Sequence, residues 1–411
     1  MSSLPRQQVR RRRVFYIPGY DPISPRRYRE IYRAEGRAQA AISGYEIELV
    51  GRPGGAVYGW DVTARIDGAE TRAEVEVLVW SDIVRASMDR GVWATYLALV
   101  RTAWVYIASG AFIRMFRLRK GPVVAALYPV LMLLGQALLA GLLGGAVLWA
   151  VLALVGAGTV AGWVLGLGLG ALAGGLLLRW FRRIDNRLYV YYLMHDYAFS
   201  AMTRGANPPE LEERMAQFAD RIAAALETDV DEVLVVGHSS GAHLGVSILA
   251  DLFRAGRVPR DGPKLAFLTL GQVVPMISFL PEAARLRRDL HDLSREPGLT
   301  WVDVSAPGDG CAFALCDPVS VSGVAPAEGK LWPLVISAAF TQTLSPERWK
   351  ALRWLFFRLH FQYLCAFDRP GDYDYFQITA GPLTLAERYA GRAPSRSLID
   401  RPVSGHRSMA P

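Results

Sequence analysis

Cysteine and histidine are scarce in this sequence, with three cysteines and six histidines in 411 residues. Cys311, Cys316 and Cys365 are an odd number and show neither the spacing of a disulfide framework nor that of a metal-ligand set. Reduced thiols are therefore expected, and the sequence implies no metal and no cofactor. Internal repeats are also absent. The length then allows two domains, or one large domain with an insertion.

Charged residues are missing from residues 121–178, a stretch of 58 positions without Asp, Glu, Lys, Arg or His. As a single helix this stretch would be about 87 Å long, against a hydrocarbon core of about 30 Å. It must therefore fold back on itself, which predicts a two-helix transmembrane hairpin over about residues 122–178. The turn is expected at Gly156 to Thr159, and Gly144-Gly145 is an alternative break in the first span.

Acidic residues are fewer than basic ones, 38 against 46, and basic residues flank the uncharged stretch on both sides. Those before it are Arg114, Arg117, Arg119 and Lys120, and those after it are Arg179, Arg182 and Arg183. By the positive-inside rule we expect a multi-pass protein of the cell inner (cytoplasmic) membrane, with the rest of the chain on the cytoplasmic side. The net charge of +8 suits contact with the anionic surface of a lipid bilayer, and no nucleic-acid-binding motif is present.

Two residue stripes accompany the predicted hairpin. An apolar, largely aromatic stripe precedes it, formed by Trp93, Tyr96, Leu97, Val100, Trp104 and Ile107. It is typical of a helix in the lipid interface, and packing on the soluble domain is the alternative. A glycine stripe follows the second span, formed by Gly158, Gly162, Gly166, Gly170 and Gly174, with Gly141 and Gly145 as a shorter match on the first span. We expect this stripe to pack within the hairpin, and a homo-oligomer contact is the alternative.

The remaining sequence alternates strand and helix patterns. A strand over 14–17 precedes a turn over 18–22 and a helix over 25–42, and a β-rich segment over 45–81 contains a hairpin of strands 59–66 and 73–80. Later elements are an amphipathic helix over 209–227, buried strands over 264–270 and 300–305, and a surface helix over 281–293. Residues 393–411 are rich in Arg, Ser and Pro and are expected to be disordered.

The segment around Ser239 carries the most specific pattern. Four apolar residues, Val233 to Val236, lead into Gly237-His238-Ser239-Ser240-Gly241, and a helix-compatible run follows. A G-x-S-x-G sequence between a buried strand and a helix is typical of a nucleophile elbow, which lifts a serine hydroxyl above the sheet edge. A plain turn rich in Gly and Ser is the alternative. The elbow interpretation makes Ser239 the candidate nucleophile.

An elbow serine needs an acid and a histidine, which follow it along the chain in that order. This order, or a position in a helix or in the tail, excludes five of the six histidines as the partner of Ser239. His360 remains as the candidate. Asp309, just after the strand over 300–305, is expected to orient His360, and Asp317 is the alternative acid. The backbone N–H groups of Ser240 and of Gly19 or Tyr20 would form the oxyanion hole.

These segments resemble the α/β-hydrolase superfamily of esterases and lipases, in particular its bacterial membrane-anchored members. The resemblance rests on the elbow, the 18–22 loop, and the segments 306–309, 360–363 and 372–376. It implies an α/β fold with a mostly parallel sheet flanked by helices. The implied organisation is a hydrolase domain in two parts, 1–82 and 206–392, separated by a membrane insertion at 83–205 and followed by the tail at 393–411. The insertion precedes the elbow strand, whereas the family's usual lid follows the strand after the elbow.

The expected activity is that of a membrane-anchored serine esterase or lipase-like hydrolase. It would cleave carboxylic esters, lipid-like ones in particular, through a Ser-His-Asp triad and an acyl-enzyme intermediate. The lipid preference follows only from the position of the domain at a membrane. An acyltransferase or thioesterase with the same nucleophile is the close alternative, and a non-catalytic membrane scaffold is the alternative from another class. In an enzyme, His360 must come within hydrogen-bond reach of Ser239.

Overall fold

A computed structural model describes residues 9–52, 58–89 and 91–410 of the chain. Its strands are β1 (Arg11–Ile17), β2 (Glu46–Gly51), β3 (Gly59–Ile66), β4 (Ala69–Val77), β5 (Glu232–His238), β6 (Lys264–Leu270), β7 (Leu299–Ser305) and β8 (Leu334–Ser337). They form one sheet in the order β2-β3-β4-β1-β5-β6-β7-β8. The pairs β2–β3 and β3–β4 are antiparallel, and all later neighbours in this order are parallel. The predicted mostly parallel sheet is confirmed.

Helices flank the sheet and fill the insertion between β4 and β5. Those before β5 are α1 (Arg26–Ser43), α2 (Ser81–Met88), α3 (Val92–Ala108), α4 (Ala111–Leu118), α5 (Lys120–Val155), α6 (Val160–Arg183), α7 (Asp185–Leu188), α8 (Val190–Met202) and α9 (Pro209–Leu226). Those after β5 are α10 (Gly241–Arg254), α11 (Pro275–Ser278), α12 (Ala284–Leu293), α13 (Pro318–Val321), α14 (Phe340–Thr343), α15 (Pro346–Leu352), α16 (Phe356–His360), α17 (Tyr375–Ala380) and α18 (Leu385–Arg388), with a 3₁₀ turn at Gln362–Leu364. The predicted boundary at residue 83 falls inside α2, whose Val84 is buried in the domain core.

Consecutive side chains of the central strands pack into two separate cores, one on each face of the sheet. Leu234 and Val236 of β5 join the core that α1 and the C-terminal segment cover. Val233 and Val235 join the core under α9, α10 and α12. Because both faces are covered, β5 needs an apolar residue at every position, which is why its sequence shows no alternation.

The uncharged stretch forms an antiparallel pair of helices, α5 and α6, with the turn at residues 156–159 as predicted. Both helices are long and apolar enough to span a membrane. Thr159 begins α6 by accepting a hydrogen bond from the Gly162 amide. Helices α3 and α4, bent by 73° at their break, together pass the same length and composition test and would add a third candidate span.

The glycine stripe of α6 faces α5, as expected for packing within the hairpin. A Cβ on Gly170 would lie 2.5 Å from the main-chain oxygen of Gly144, so the two backbones are in direct contact. The predicted partners on the first span were wrong, since Gly141 and Gly145 have open space at their Cβ positions. Ala140, Gly144 and Leu148 meet α6 instead. They lie four residues apart and so share one helix face.

Five of the six side chains in the apolar stripe before the hairpin are exposed, and the sixth, Tyr96, donates a hydrogen bond to the carbonyl of Leu133 on α5. Trp93 of α3 is 81% exposed and Trp104 is 71% exposed. The opposite face of α3 packs on α8 through Ala98 and Leu99. The alternative that this stripe packs on the soluble domain is therefore wrong, and the exposed side chains are available to lipid.

The C-terminal residues up to Ala410 make ordered contacts, contrary to the predicted disorder. The amides of Ile399 and Val403 donate to the carbonyls of Leu315 and Val321. Arg287 is buried and donates to the carbonyl of Ser408. Main-chain hydrogen bonds and one buried guanidinium thus hold a segment whose own apolar content is low, which composition alone does not indicate.

Candidate active site

The segment around Ser239 has the geometry of a sharp strand-to-helix turn. Strand β5 ends at His238 and α10 begins at Gly241, and Ser239 between them has a φ of 55°. A positive φ at a non-glycine residue costs of order 1–3 kcal/mol, so the surrounding structure must enforce it. The Ser239 amide donates to the carbonyl of Leu270 at 2.9 Å. A Cβ on Gly237 would lie 2.7 Å from the main-chain oxygen of Gly241, which explains the need for glycine there.

The loop after β1 lies directly against this turn. A Cβ on Gly19 would lie 3.0 Å from the Cβ of Ser239. Gly19, Tyr20 and Ser240 line one cavity together with Ser239. The structure therefore places the three residues predicted for an oxyanion hole beside the serine. Two of them come from the loop after β1 and one from the start of α10.

Asp309 and His360 form a hydrogen-bonded pair. The Nδ1 atom of His360 lies 2.7 Å from Oδ2 of Asp309. The same carboxylate oxygen accepts from the hydroxyl of Tyr363 at 3.0 Å, and the other accepts from the amide of Cys311 at 2.9 Å. Asp309 is buried, and these three donors satisfy its carboxylate. The arrangement leaves Nδ1 of His360 protonated and directs Nε2 towards another partner.

Asp317, the alternative acid, makes its contacts elsewhere. Its Oδ1 atom accepts from the amides of Val319 and Ser320 at the start of α13. Its Oδ2 atom accepts from the Lys330 ammonium at 2.6 Å. Asp317 is thus a helix-capping and ion-paired residue, and Asp309 is the acid that contacts His360.

Ser239 and His360 line a common cavity of about 80 Å³, which we call the active-site cavity. The Nε2 atom of His360 is buried and has no hydrogen-bond partner in the described part of the chain. A hydrogen bond from Ser239 to Nε2 is therefore not formed in this arrangement of the side chains. Catalytic hydrogen bonds of this kind are often long in unliganded proteins and shorten when substrate is bound.

One wall of the active-site cavity comes from the inserted helix α8. Tyr192, Asp196, Tyr197 and Ser200 all line it. Burial raises the pKa of Asp196 to about 7, and the positive charge of His360, when protonated, opposes this shift. Sequence reasoning missed this wall because it assigned residues 83–205 as a whole to the membrane insertion. The available signal was the polar pair His195-Asp196 inside an aromatic run.

Three residues at the site could in principle hold a metal ion. Ligand atoms of Asp309, Cys311 and His360 lie within 4.8 Å of one another. Burial raises the pKa of the Cys311 thiol well above its usual range, and the charges of Asp309 and Asp196 add to this effect. A metal takes the thiolate, so the environment of Cys311 opposes coordination. The Asp309–His360 hydrogen bond would also have to break, and the donor set fits a proton relay better.

The geometry combines a strained serine, a histidine oriented by a buried carboxylate, and two separate backbone segments, the loop after β1 and the start of α10, beside the serine. Such a set can carry out nucleophilic acyl transfer, with the histidine as proton carrier. Neither a protein-family model nor a curated protein or solved structure matches the chain, so its function is inferred from this cavity.

Proposed function

We propose that the chain is a membrane-anchored serine hydrolase of the α/β-hydrolase type that cleaves carboxylic esters. The observation that carries the proposal is that Ser239, with its positive φ, and His360, hydrogen-bonded to Asp309, line one cavity. A structural role for this polar group would not require a strained serine next to a histidine with a free Nε2 atom.

In the proposed acylation step the Oγ atom of Ser239 attacks the ester carbonyl carbon while Nε2 of His360 accepts the hydroxyl proton. Asp309 keeps the imidazole in the required tautomer through Nδ1 and stabilises the imidazolium. The negative oxygen of the tetrahedral intermediate is stabilised by backbone N–H groups at Ser240 and at Gly19 or Tyr20. Collapse of the intermediate breaks the ester C–O bond, and His360 gives the proton to the departing alcohol.

In the second step a water molecule attacks the acyl-enzyme, His360 takes its proton, and Ser239 leaves with the carboxylic acid as product. An alcohol in place of water would make the protein an acyltransferase, and a thiol ester substrate would make it a thioesterase. The same residues serve all three reactions, so the nucleophile assignment is independent of the choice between them.

The insertion bears on which esters can enter. At about 80 Å³ the active-site cavity accepts a small ester group and is too small for a long acyl chain. A lipid-like substrate therefore requires α8 to move away from Ser239. Because α8 packs on α3 and on α5, the wall of the active-site cavity is joined directly to the candidate membrane helices.

Labelling with a fluorophosphonate probe tests the proposal. The full chain is solubilised in detergent and compared with Ser239→Ala, His360→Ala and, as a control from the same cavity, Ser200→Ala. We expect the wild type and Ser200→Ala to be labelled, and the other two variants to lose labelling. Folded wild-type protein that stays unlabelled in detergent and in liposomes would favour the non-catalytic scaffold instead.

We also propose that the hairpin turn lies on the outer side of the cytoplasmic membrane and the sheet domain on its cytoplasmic side. The reason is that Arg residues flank both ends of the hairpin. An Ala157→Cys variant in the turn should then react in whole cells with a maleimide that cannot cross the membrane. The exposed position Ser397→Cys should remain unreactive until the cells are opened. Equal labelling of both positions in intact cells would overturn this orientation.

A further inference from the structure

One carboxyl group in the active-site cavity has no part in the proposed reaction. Asp196 of α8 lines the cavity together with Ser239 and His360. Its carboxylate makes no hydrogen bond and no ion pair to any residue that the structure describes. Asp196 is half-buried, and a carboxylate without a partner in such a cavity is less well solvated than one in open water.

None of the residues that line the active-site cavity is Lys or Arg, so the positive charge that the lining offers to Asp196 is that of His360 when protonated. Arg27 stacks on Phe361 with its guanidinium carbon 4.8 Å from the ring centroid, but Arg27 itself is exposed and outside the lining. The other carboxylate of the lining, Asp21, accepts from the hydroxyl of Tyr28 and from the amide of Ile23. Asp196 is therefore the carboxylate of the cavity that is left without a partner.

Aromatic rings supply much of the remaining surface. Tyr20, Tyr192, Tyr197 and Phe357 line the active-site cavity, and three of them come from α8 or from the loop after β1. Ring faces attract ammonium groups, most strongly where water is excluded. Burial raises the pKa of Asp196 to about 7 because it disfavours the ionised carboxylate. A cation bound nearby would stabilise that ionised form.

We infer that Asp196 and these rings form a subsite for a small ammonium group, and that the esters cleaved at Ser239 carry an amine close to the carbonyl carbon. This inference rests on the proposed function for the cleavage step. The volume of about 80 Å³ has room for roughly five to eight water molecules, since one water needs about 10–15 Å³ of a volume measured in this way. The group that enters is therefore limited to a few non-hydrogen atoms, such as a short aminoalkyl chain.

Two esters of equal shape test the inference at pH 8. 4-Nitrophenyl 3-aminopropanoate and 4-nitrophenyl butanoate differ only by an ammonium group in place of a methyl group. We expect the ratio of their kcat/KM values to fall at least tenfold in Asp196→Asn, with the butanoate little changed. Asp220→Asn is the control, because it removes the same charge from an exposed position on α9 that pairs with Arg257. An equal loss for both esters in Asp196→Asn would instead mean that Asp196 acts through His360 and would overturn the subsite.

Binding without chemistry separates this inference from the proposed function. Propylammonium and 1-propanol have the same shape, and their binding to the full chain can be followed by ligand-observed NMR. We expect the wild type to prefer propylammonium at least tenfold, and Asp196→Asn to lose the preference. A chain that hydrolyses neither ester but keeps this preference would refute the hydrolase and retain the subsite. A chain that hydrolyses both esters without any ammonium preference would refute the subsite alone.

Discussion

The Nε2 atom of His238 lies 3.0 Å from the main-chain oxygen of His360, so the residue before the nucleophile holds the backbone of the candidate base. The two imidazole rings are 4.9 Å apart between centroids. Burial, with a further contribution from the charge of His360, lowers the pKa of His238 to about 3. His238 is therefore neutral at pH 7, and because it bonds to a carbonyl its proton is on Nε2.

The contact predicts a positioning role for His238. Replacement by Leu removes a hydrogen bond worth about 1–1.5 kcal/mol, so we expect His238→Leu to slow fluorophosphonate labelling of Ser239 roughly tenfold. His238→Gln keeps an N–H donor and should recover most of the rate. Labelling rates and melting temperatures are measured together. A rate that falls only in step with the loss of folded protein would contradict the positioning role.

Asp309 and Asp317 are distinguished by their asparagine variants. We expect Asp309→Asn to reduce the labelling rate by a factor of roughly 10⁴, because an amide does not hold His360 in the reactive tautomer. Asp317→Asn should leave the rate unchanged and lower the free energy of unfolding by about 1–3 kcal/mol, since it weakens a helix cap and the pair with Lys330. The opposite ranking of the two rates would assign the acid to Asp317.

The hairpin contact is tested by two leucine substitutions on α6. Gly170→Leu places a side chain against the backbone of Gly144 and should lower the melting temperature in detergent, at a cost of about 1–3 kcal/mol or more. Gly168→Leu is the control, because a Cβ there meets open space. We expect its effect to stay within about 0.5 kcal/mol. Equal melting temperatures for the two variants would show that α5 and α6 do not pack through this stripe.

A buried ion pair joins the first strand to the elbow strand. The Nε atom of Arg12 lies 2.6 Å from Oε2 of Glu232, and both side chains are fully buried. We expect Arg12→Met to destabilise the fold by about 3–5 kcal/mol, because it leaves Glu232 buried and unpaired. The neighbouring pair of Arg11 with Asp229 is exposed, so Arg11→Met should cost less than about 1 kcal/mol. Chemical denaturation compares the two, and similar midpoints would refute the difference.

His243 makes the fold sensitive to acid. Burial lowers its pKa from 6.5 to about 4, so the folded chain binds fewer protons than the unfolded chain between these pH values. Its contribution to stability is therefore complete above pH 6.5 and is lost as the pH falls towards 4, with about 2 kcal/mol lost by pH 5. His243→Leu should remove this part of the acid sensitivity. Melting temperatures of both proteins from pH 7.5 to 5 measure it, and parallel curves would contradict it.

The sequence predicted those features of the fold and the candidate site that depend on a short continuous segment of the chain. The turn at Ser239 was predictable because β5, the turn and α10 are consecutive in the sequence. The hairpin turn was predictable because a bilayer has a fixed thickness. Asp309 was identified together with an alternative, since only the folded chain shows which carboxylate contacts His360.

The features that the sequence did not predict depend on contacts between segments that are far apart in the chain. Asp196 is more than 40 positions from Ser239 and more than 160 from His360, and the polar pair His195-Asp196 does not by itself show that α8 turns back over the sheet. The ordered tail has the same cause, because its partners lie near residues 315–321. The face of α5 that meets α6 depends on the rotation of a helix about its axis, which a glycine spacing alone does not determine.

The position of α8 also determines how this protein can be made water-soluble. In the half of the hairpin nearer the turn, α5 and α6 contact each other directly. The contacting pairs are Gly144 with Gly170, Leu148 with Gly166, and Leu152 with Gly162. Excision of residues 83–205 would remove α8 and leave Ser239 open to solvent on one side. Shortening the hairpin from its tip, with α8 and the first turns of α5 retained, keeps the wall of the active-site cavity. The candidate membrane helices can thus be trimmed, whereas α8 of the same insertion contributes to the candidate site.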